Sequence, residues 1–308
     1  MELSEARGRL FAVGGGDIKG GDAPLLKEFV KLARGAKARL VVMTVATDDP
    51  AAAADEYRAA FRRLGLDDVQ VVDVSTRADA AKPESLAAVE NATGLFFTGG
   101  DQLHITSLLG GSQMQKLIFR RHERGLVVGG TSAGAAMMSN SMLIGGESGE
   151  NPKLGGVEIG PGMDLLVGAI IDTHFSQRGR FGRLLTAVAH YPQDLGLGID
   201  EETAMVVNKT EFEVLGRGAV TVIDAGAMTY TSLPYAEDEK NLSLFGVRVH
   251  VLSAGHKFDL AAREPVIDGG KVKRSKSSDS DGDDAPGEAK PGKKPAGRAR
   301  GKRTKGKK

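Results

Sequence analysis

The sequence predicts an α/β protein: a three-layer α/β/α sandwich with a mostly parallel central sheet and a C-terminal antiparallel extension. Short, continuously apolar segments alternate with segments of helical periodicity, which is typical of parallel strands covered by helices on both faces. Polar, glycine-rich segments directly follow two of the apolar segments, at 99–102 and at 130–134. Because ligands bind beyond the carboxyl ends of parallel strands, these two segments predict one functional site at a single edge of the sheet.

Length and composition limit the class of protein. The 308 residues suffice for one large domain or two modest ones, and 41% of them are hydrophobic, enough for a sizeable core. The absence of cysteine excludes a disulfide framework, a thiol nucleophile and cysteine metal sites. No apolar run reaches the length of a membrane span, and the N-terminal residues lack the pattern of a signal peptide, so we expect a cytoplasmic protein.

The first half of the chain carries five predicted strands. They are apolar runs at 9–13, 39–45, 69–74, 94–98 and 125–130. Helices are predicted between them at 24–34, from Asp49-Pro50 to 64, and at 83–91. The first of these helices shows the helical spacing of its apolar residues most clearly, at Leu25, Leu26, Phe29, Val30 and Ala33.

A glycine cluster, Gly14-Gly15-Gly16-Asp17, follows the first predicted strand. It resembles the start of a dinucleotide-binding loop, but Lys19 stands where the third glycine of that fingerprint belongs. We therefore interpret the cluster as a tight turn at the sheet edge, close to the predicted site.

The second half of the chain is expected to complete the same domain, which we place at residues 1–270. A glycine-rich stretch at 144–162 predicts a loop or hairpin over the site, and a buried apolar run follows at 164–171. A helix is predicted to end near 189, followed by a short strand at 197–199. Alternating apolar and polar residues from 204 to 231, with the segment 245–252, predict antiparallel strands.

Residues 271–308 form a predicted disordered tail. They are rich in Lys, Gly, Pro, Ser, Asp and Ala without apolar periodicity, so they cannot bury a core. They hold 14 Lys and Arg against 5 Asp and Glu, which leaves the rest of the chain acidic. Such a tail suggests contact with nucleic acid or another polyanion, although a solvated extension without a fixed partner is the simpler interpretation.

The stretch 125–138 contains the pattern G-x-S-x-G, from Gly130 through Ser132 to Gly134. An apolar strand precedes it and a helix follows it, which is the context of a nucleophile elbow. In such a turn the serine hydroxyl projects above the sheet edge, and the N–H of Ala133 faces the group that the serine attacks. The pattern predicts a serine hydrolase, whereas a small-residue turn without function is the plain structural alternative.

A serine nucleophile requires a base, and histidine is the side chain best suited to that role near neutral pH. His174 stands at the end of an apolar run, where side chains converge on the site, and we select it. The other histidines are placed less well: His122 and His190 are in helical stretches, and His104 is at the rim. His250 is in the predicted strand 245–252, and His256 follows that strand. The carboxylate that orients the imidazole stays open among four candidates: Glu201, Asp200, Glu202 and Asp172.

Four separated motifs resemble those of cyanophycinases, in the serine peptidase family that also contains dipeptidase E. They are FFTGGDQ (96–102), GGTSAGA (129–135), DTHFSQRGRFGRL (172–184) and GIDEETA (198–204), and the resemblance covers most of residues 8–260. It implies a fold like that of class I glutamine amidotransferases and usually a homodimer. It also implies a catalytic triad of Ser132, His174 and Glu201, with an oxyanion hole formed by N–H groups around Gly100–Asp101 and at Ala133.

The resemblance further implies hydrolysis of cyanophycin, a poly-aspartate that carries arginine on each β-carboxyl group, into β-aspartyl-arginine dipeptides. Neither a metal nor an organic cofactor is expected. Arginine side chains could bind the carboxylates of the substrate, while polar and acidic side chains, including a glutamate of the 144–162 stretch, could receive guanidinium and backbone groups. The positions carried over as substrate-binding are Gln102, Asp172, Thr173, Arg178, Arg180 and Arg183.

Thr173 departs from the family pattern, because cyanophycinases carry glutamine at this position. The shorter side chain removes a possible hydrogen-bonding partner of the substrate backbone, which leaves the substrate open. One alternative is a related exopeptidase for aspartyl or isoaspartyl peptides. Another is a catalytically silent protein that binds an arginine-rich polymer, and a third, nucleic-acid binding, depends on the basic tail alone.

Overall fold

The computed structural model describes residues 7–237 and 240–267. The chain divides into two units, Met1–Asp268 and Gly269–Lys308, and the predicted basic tail lies outside the described residues. None of the helices within the described ranges is long and apolar enough to cross a membrane. The helices are α1 (Pro24–Leu32), α2 (Pro50–Arg63), α3 (Pro83–Asn91), α4 (Gln102–Leu109), α5 (Gln113–Glu123), α6 (Ala133–Ala136) and α7 (Phe181–His190).

Seventeen strands are found in the described part of the chain. The first nine are β1 (Leu10–Val13), β2 (Leu40–Met43), β3 (Val69–Val72), β4 (Gly94–Phe97), β5 (Val127–Thr131), β6 (Ser141–Gly146), β7 (Val157–Pro161), β8 (Ala169–Thr173) and β9 (Leu195–Ile199). The others are β10 (Thr203–Asn208), β11 (Glu211–Gly216), β12 (Ala219–Asp224), β13 (Tyr230–Thr231), β14 (Leu244–Phe245), β15 (Arg248–Ser253), β16 (Lys257–Asp259) and β17 (Glu264–Val266).

The main sheet contains nine strands in the order β17-β16-β11-β10-β1-β5-β4-β2-β3. Strands β1, β5, β4, β2 and β3 are parallel, and the other four pair antiparallel. The five N-terminal strands are therefore found where the sequence predicts them. The C-terminal strands β10, β11, β16 and β17 extend this parallel part beyond β1 in antiparallel pairing, as predicted, so the sheet as a whole is mixed.

A separate four-stranded sheet has the order β15-β12-β9-β8, with β8 and β9 parallel and the other pairs antiparallel. The sequence predicts that the second half completes the same domain, but it does not indicate that these four strands form a sheet of their own. Their apolar residues are buried as expected, but apolar patterning does not specify which strand is the hydrogen-bonding partner.

Side chains of β1 alternate between the two faces of the main sheet. Phe11 packs in a cluster with Phe29 of α1 and Phe61 of α2, and their aromatic rings meet at tilted and edge-on angles. Leu10 and Ala12 point to the opposite cluster, which contains residues of α3 to α6 and of the four-stranded sheet. The main sheet is thus covered on both faces, and the second sheet lies on the α3–α6 side.

Helices α1, α2 and α3 begin at proline, at Pro24, Pro50 and Pro83. Proline suits the first position of a helix, since its fixed φ fits and no N–H is needed there. In α2, the Asp49 side chain also accepts a hydrogen bond from the N–H of Ala52, at 3.0 Å. These signals explain why the beginnings of these helices can be located from the sequence.

Candidate active site

Ser132 lies in a sharp turn between β5 and α6, with φ 53° and ψ −114°. A non-glycine residue adopts this conformation only where the surrounding structure holds it. A Cβ atom at Gly130 would lie 2.2 Å from the carbonyl oxygen of Gly134, and one at Gly134 would lie 2.6 Å from that of Phe97. Both glycines of G-x-S-x-G are therefore required by close backbone contacts, as in the predicted nucleophile elbow.

The imidazole of His174 lies within hydrogen-bonding distance of both other predicted catalytic side chains. The Ser132 hydroxyl oxygen is 2.8 Å from Nε2 of His174, and Nδ1 of the same imidazole is 2.6 Å from Oε1 of Glu201. They follow β5, β8 and β9 respectively, so two sheets contribute to the site. The arrangement matches a nucleophile, a base and an orienting carboxylate.

The glycine turn after β1 supports the imidazole. The N–H of His174, a residue with φ 50°, donates to the carbonyl oxygen of Gly14 at 2.7 Å. A Cβ atom at Gly15 would lie 2.2 Å from Cε1 of His174, so only glycine fits beside the ring. The N–H of Glu201 donates to Oε1 of Gln177 at 3.0 Å, which holds the carboxylate residue from the other side. The sequence predicts a tight turn near the site at Gly15 but not its contact with the imidazole, and it gives no signal for Gln177, since only the folded chain brings these residues together.

The neighbouring carboxylates are engaged elsewhere. Asp200 is buried, and its Oδ1 accepts hydrogen bonds from both the N–H and the hydroxyl of Ser176. Glu202 forms an ion pair with Arg217 at 2.9 Å. Of the three consecutive acidic residues, only Glu201 contacts the imidazole, in agreement with the position implied by the resemblance.

The predicted oxyanion hole needs one correction. The N–H of Asp101 donates to the carbonyl oxygen of Ala46 at 2.8 Å, so it is not available to an oxyanion. The N–H groups of Gly100 and Ala133 have no acceptor among the described residues. We therefore retain Gly100 and Ala133 as donors and remove Asp101, whose side chain instead caps α4.

Burial lowers the pKa of His174, and this is the largest influence on it. The hydrogen bond to Glu201 acts in the opposite direction and raises the pKa, whereas the positive charge of Arg178 lowers it further. The net shift is downward, so the imidazole is neutral near pH 7 and able to accept a proton.

Asp172 is enclosed by two of the three predicted substrate-binding arginines. Arg183 donates to both of its carboxylate oxygens, at 2.6 and 2.7 Å, and Arg180 lies 3.3 Å from Oδ1. Arg180 also donates to the carbonyl oxygen of Thr173 at 2.5 Å. The oxygens of Asp172 are already occupied, and the residue is only 1% exposed. Its carboxylate therefore orients these arginines, and the expectation that it binds a substrate guanidinium directly is wrong.

A cavity of about 290 Å³ connects these groups with the nucleophile. Its lining includes Gly100, Ser132 and the side chain of Arg178, which makes no hydrogen bond to any described residue. Gln102 also lines it, but its Nε2 donates to two carbonyl oxygens of β6, at 2.8 and 3.0 Å, so this nitrogen holds the β6–β7 hairpin against the site. With three arginines and one aspartate, the cavity is electropositive.

No group of three or more His, Asp or Glu side chains in the described ranges is arranged to hold a metal ion. The site offers an activated serine beside two backbone N–H donors. These groups fit acyl transfer.

Comparison with known proteins identifies the family of this chain. The model of Peptidase family S51 matches residues 10–215, which include every residue of the proposed site. A cyanophycinase from Geminocystis herdmanii is 36% identical over 262 residues, covering 84% of this chain and 96% of the relative. The chain belongs to peptidase family S51. It is therefore a peptidase, and its motifs at 96–102, 129–135, 172–184 and 198–204 all lie within the residues that the family model matches.

Other relatives extend this result. A cyanophycinase from Trichormus variabilis is 35% identical over 256 residues, covering 82% of this chain and 86% of the relative. A crystal structure of a peptidase from an acI-B1 actinobacterium superposes with a TM-score of 0.60 at 20% identity, over 82% of this chain and 97% of that one. That likeness supports the mixed α/β fold of this S51 peptidase, with its large central sheet.

Proposed function

We propose that this S51 peptidase hydrolyses cyanophycin to β-aspartyl-arginine dipeptides, with Ser132 as nucleophile, His174 as base and Glu201 as orienting carboxylate. The observation that carries the proposal is the 2.8 Å contact between the Ser132 hydroxyl and Nε2 of His174 beside an electropositive cavity. The similarity to proteins named cyanophycinase supports the choice of polymer.

The steps follow from the geometry. Nε2 of His174 accepts the hydroxyl proton of Ser132 as the oxygen attacks the scissile carbonyl carbon. The resulting oxyanion accepts hydrogen bonds from the N–H groups of Gly100 and Ala133. When the C–N bond breaks, His174 gives its proton to the leaving amine. A water molecule then attacks the acyl-enzyme, again losing a proton to His174, and the carboxylic acid product is released as Ser132 regains its proton.

The arginine-lined cavity supports binding of the acyl part of the substrate. Each cyanophycin unit carries the α-carboxylate of its arginine, and Arg178 is placed to contact such a group, because it lines the cavity without another partner among the described residues. Arg180 is held by Asp172 and Thr173, and burial lowers its pKa to about 10, which still leaves it charged at neutral pH. It can therefore add a fixed positive charge to the cavity.

Incubation of the full chain with cyanophycin tests the proposal. The expected result is release of β-aspartyl-arginine, detected by mass spectrometry, and its loss in Ser132→Ala. Cleavage of Asp-X or isoaspartyl dipeptides, with cyanophycin left intact, would instead identify the related exopeptidase that Thr173 keeps open. Continued cleavage of cyanophycin by Ser132→Ala at the wild-type rate would show the assignment to be wrong.

Two finer expectations belong to the same proposal. We propose the class I glutamine amidotransferase-like topology on the basis of the elbow, the parallel strands and the resemblance. We also propose a homodimer, which the resemblance implies and which sedimentation equilibrium would test. Contact of the basic tail with a polyanion remains a prediction, because residues 271–308 lie outside the described part of the chain.

A further inference from the structure

Ser132 lies where two cavities meet. The electropositive cavity contains Gly100 on its wall, together with the three arginines. A second cavity, of about 420 Å³, is lined by Ser132 and His174 and extends to the turn after β1 and to α2. This volume is within the range of about 300–1,000 Å³ that is usual for small-molecule sites.

The position of the imidazole distinguishes the two cavities. The leaving amine takes its proton from Nε2 of His174, so it must depart on the side that the imidazole faces. His174 lines the second cavity and does not line the arginine cavity. The arginine cavity, with the oxyanion donor Gly100, therefore receives the acyl part, and the second cavity receives the leaving group.

One face of α2 forms a wall of the second cavity. Asp49, Ala52, Ala53 and Glu56 line it, at the spacing i, i+3, i+4 and i+7. The two alanines leave open space, and the two carboxylates stand about 10 Å apart along the helix, at either end of that space. Both carboxylates are on exposed residues, so a bound cation can reach them.

Lys19 supplies the opposite charge in this cavity. Its Nζ lies 2.5 Å from Oε2 of Glu56 and 5.3 Å from the ring centroid of Tyr57. The lining thus carries two carboxylates and one ammonium group, whereas the acyl cavity carries three guanidinium groups and one carboxylate. The charge balance of the two cavities is opposite in sign.

We propose that the cavity between the turn after β1 and α2 selects a leaving unit that carries both a cationic side chain and a carboxylate. Glu56 pairs with the guanidinium of that unit, Asp49 adds negative charge at the other end of the same wall, and Lys19 binds the carboxylate of the unit. Such a unit replaces the Lys19–Glu56 ion pair with two new pairs, so neither charge is left without a partner. This inference rests on the proposed function and adds the recognition of the leaving group to it.

The test uses two β-aspartyl-arginine units joined by an α-amide bond. In one peptide the leaving unit keeps arginine, and in a second it carries citrulline, a neutral side chain of nearly the same shape. We expect wild-type kcat/KM to be about fivefold higher for the arginine peptide, because exposed ion pairs contribute about 1 kcal/mol at most. The ratio should approach one in the double variant Asp49→Asn/Glu56→Gln and in 1 M salt.

Three controls localise the effect. Asp55→Asn removes a charge from the same helix at a side chain that is 83% exposed and does not line the cavity, so it should keep the fivefold ratio. Asparagine retains the capping function at position 49, so α2 stays intact. When citrulline replaces arginine in the acyl unit instead, the ratio of kcat/KM between the arginine and citrulline peptides should be the same in the double variant as in the wild type. Lys19→Gln should abolish the preference for a free over an amidated carboxylate on the leaving unit.

The possible outcomes are distinct. A double variant that hydrolyses both peptides with the wild-type ratio overturns the inference while leaving the proposed function intact. The inference is also overturned if the double variant changes the ratio equally for citrulline in the acyl unit and for citrulline in the leaving unit. The cavity would then not be specific for the leaving group. If the wild-type protein cleaves none of the peptides and no cyanophycin, the proposed function fails, and the inference fails with it.

Discussion

Gly15→Ala is expected to misalign the catalytic imidazole without unfolding the protein. The new Cβ atom would lie 2.2 Å from Cε1 of His174, and an ordinary contact begins at 3.4 Å, so the ring must retreat by about 1.2 Å. A retreat away from Ser132 would lengthen the 2.8 Å contact to about 4 Å, beyond a hydrogen bond. Misplacement of about 1 Å costs about 100-fold in rate, or about 2.7 kcal/mol of transition-state stabilisation.

The assay is steady-state hydrolysis of cyanophycin, supported by the rate at which a fluorophosphonate labels Ser132. Both rates should fall about 100-fold in Gly15→Ala, with KM changed far less. Gly21→Ala is the control for adding a methyl group at a positive-φ glycine of the same loop, with φ 52° against 111° at Gly15, because the methyl group there would meet no atom within 4 Å. Activity of Gly15→Ala within threefold of Gly21→Ala would refute the reasoning.

Three further predictions concern charge. Glu201→Gln should lower kcat by about 10³–10⁴-fold, and should move the acid limb of kcat/KM to lower pH, because Glu201 raises the pKa of His174. Arg178→Gln should move the acid limb of kcat/KM to higher pH, since the charge of Arg178 lowers the pKa of His174. In the wild type this limb should lie below pH 6.5, because the net shift of that pKa is downward. Asp224→Asn removes a buried carboxylate that pairs with both Arg248 and Arg263. Calorimetry should show the free energy of unfolding lowered by about 2 kcal/mol and Tm by about 4–8 °C, while kcat stays unchanged.

Much of the N-terminal half can be predicted from local signals. Apolar runs identify β4 and β5, and proline at the first helical position locates α1 to α3. Helix α4 is not among the predicted helices, although Asp101 caps it and Ile105 and Leu109 form a buried i, i+4 pair. The separate sheet of β8, β9, β12 and β15 could not be foreseen, because pairing depends on contacts between distant parts of the chain.

The residues of the candidate site also divide into those that local sequence signals identify and those that only the folded chain reveals. Ser132 is identified by its strand–turn–helix context, and His174 by its position after an apolar run. Composition and spacing leave four carboxylates open, and only the resemblance selects Glu201, which the structure brings to 2.6 Å from the imidazole. The need for glycine at position 15 could not be found from sequence, since the atoms that exclude a side chain there belong to a residue 159 positions away.

The identification of Asp101 as an oxyanion donor and of Asp172 as a free acceptor is wrong for one physical reason. Motifs specify which residues are present but not which hydrogen bonds they have already made. The N–H of Asp101 is committed to Ala46, and the Asp172 carboxylate to Arg180 and Arg183. Their effects on catalysis are therefore expected to be indirect, through the shape of the loop and the orientation of the guanidinium groups.

The central claim is that the Ser132 oxygen becomes covalently acylated during turnover. Acid quenching of the reaction with cyanophycin, followed by proteolysis and mass spectrometry, measures this directly. We predict that the peptide containing Ser132 carries an added mass equal to that of the substrate minus its leaving dipeptide, and that His174→Ala lacks it. Release of dipeptide with Ser132 unmodified at every quench time, or an adduct on another residue, would contradict the account.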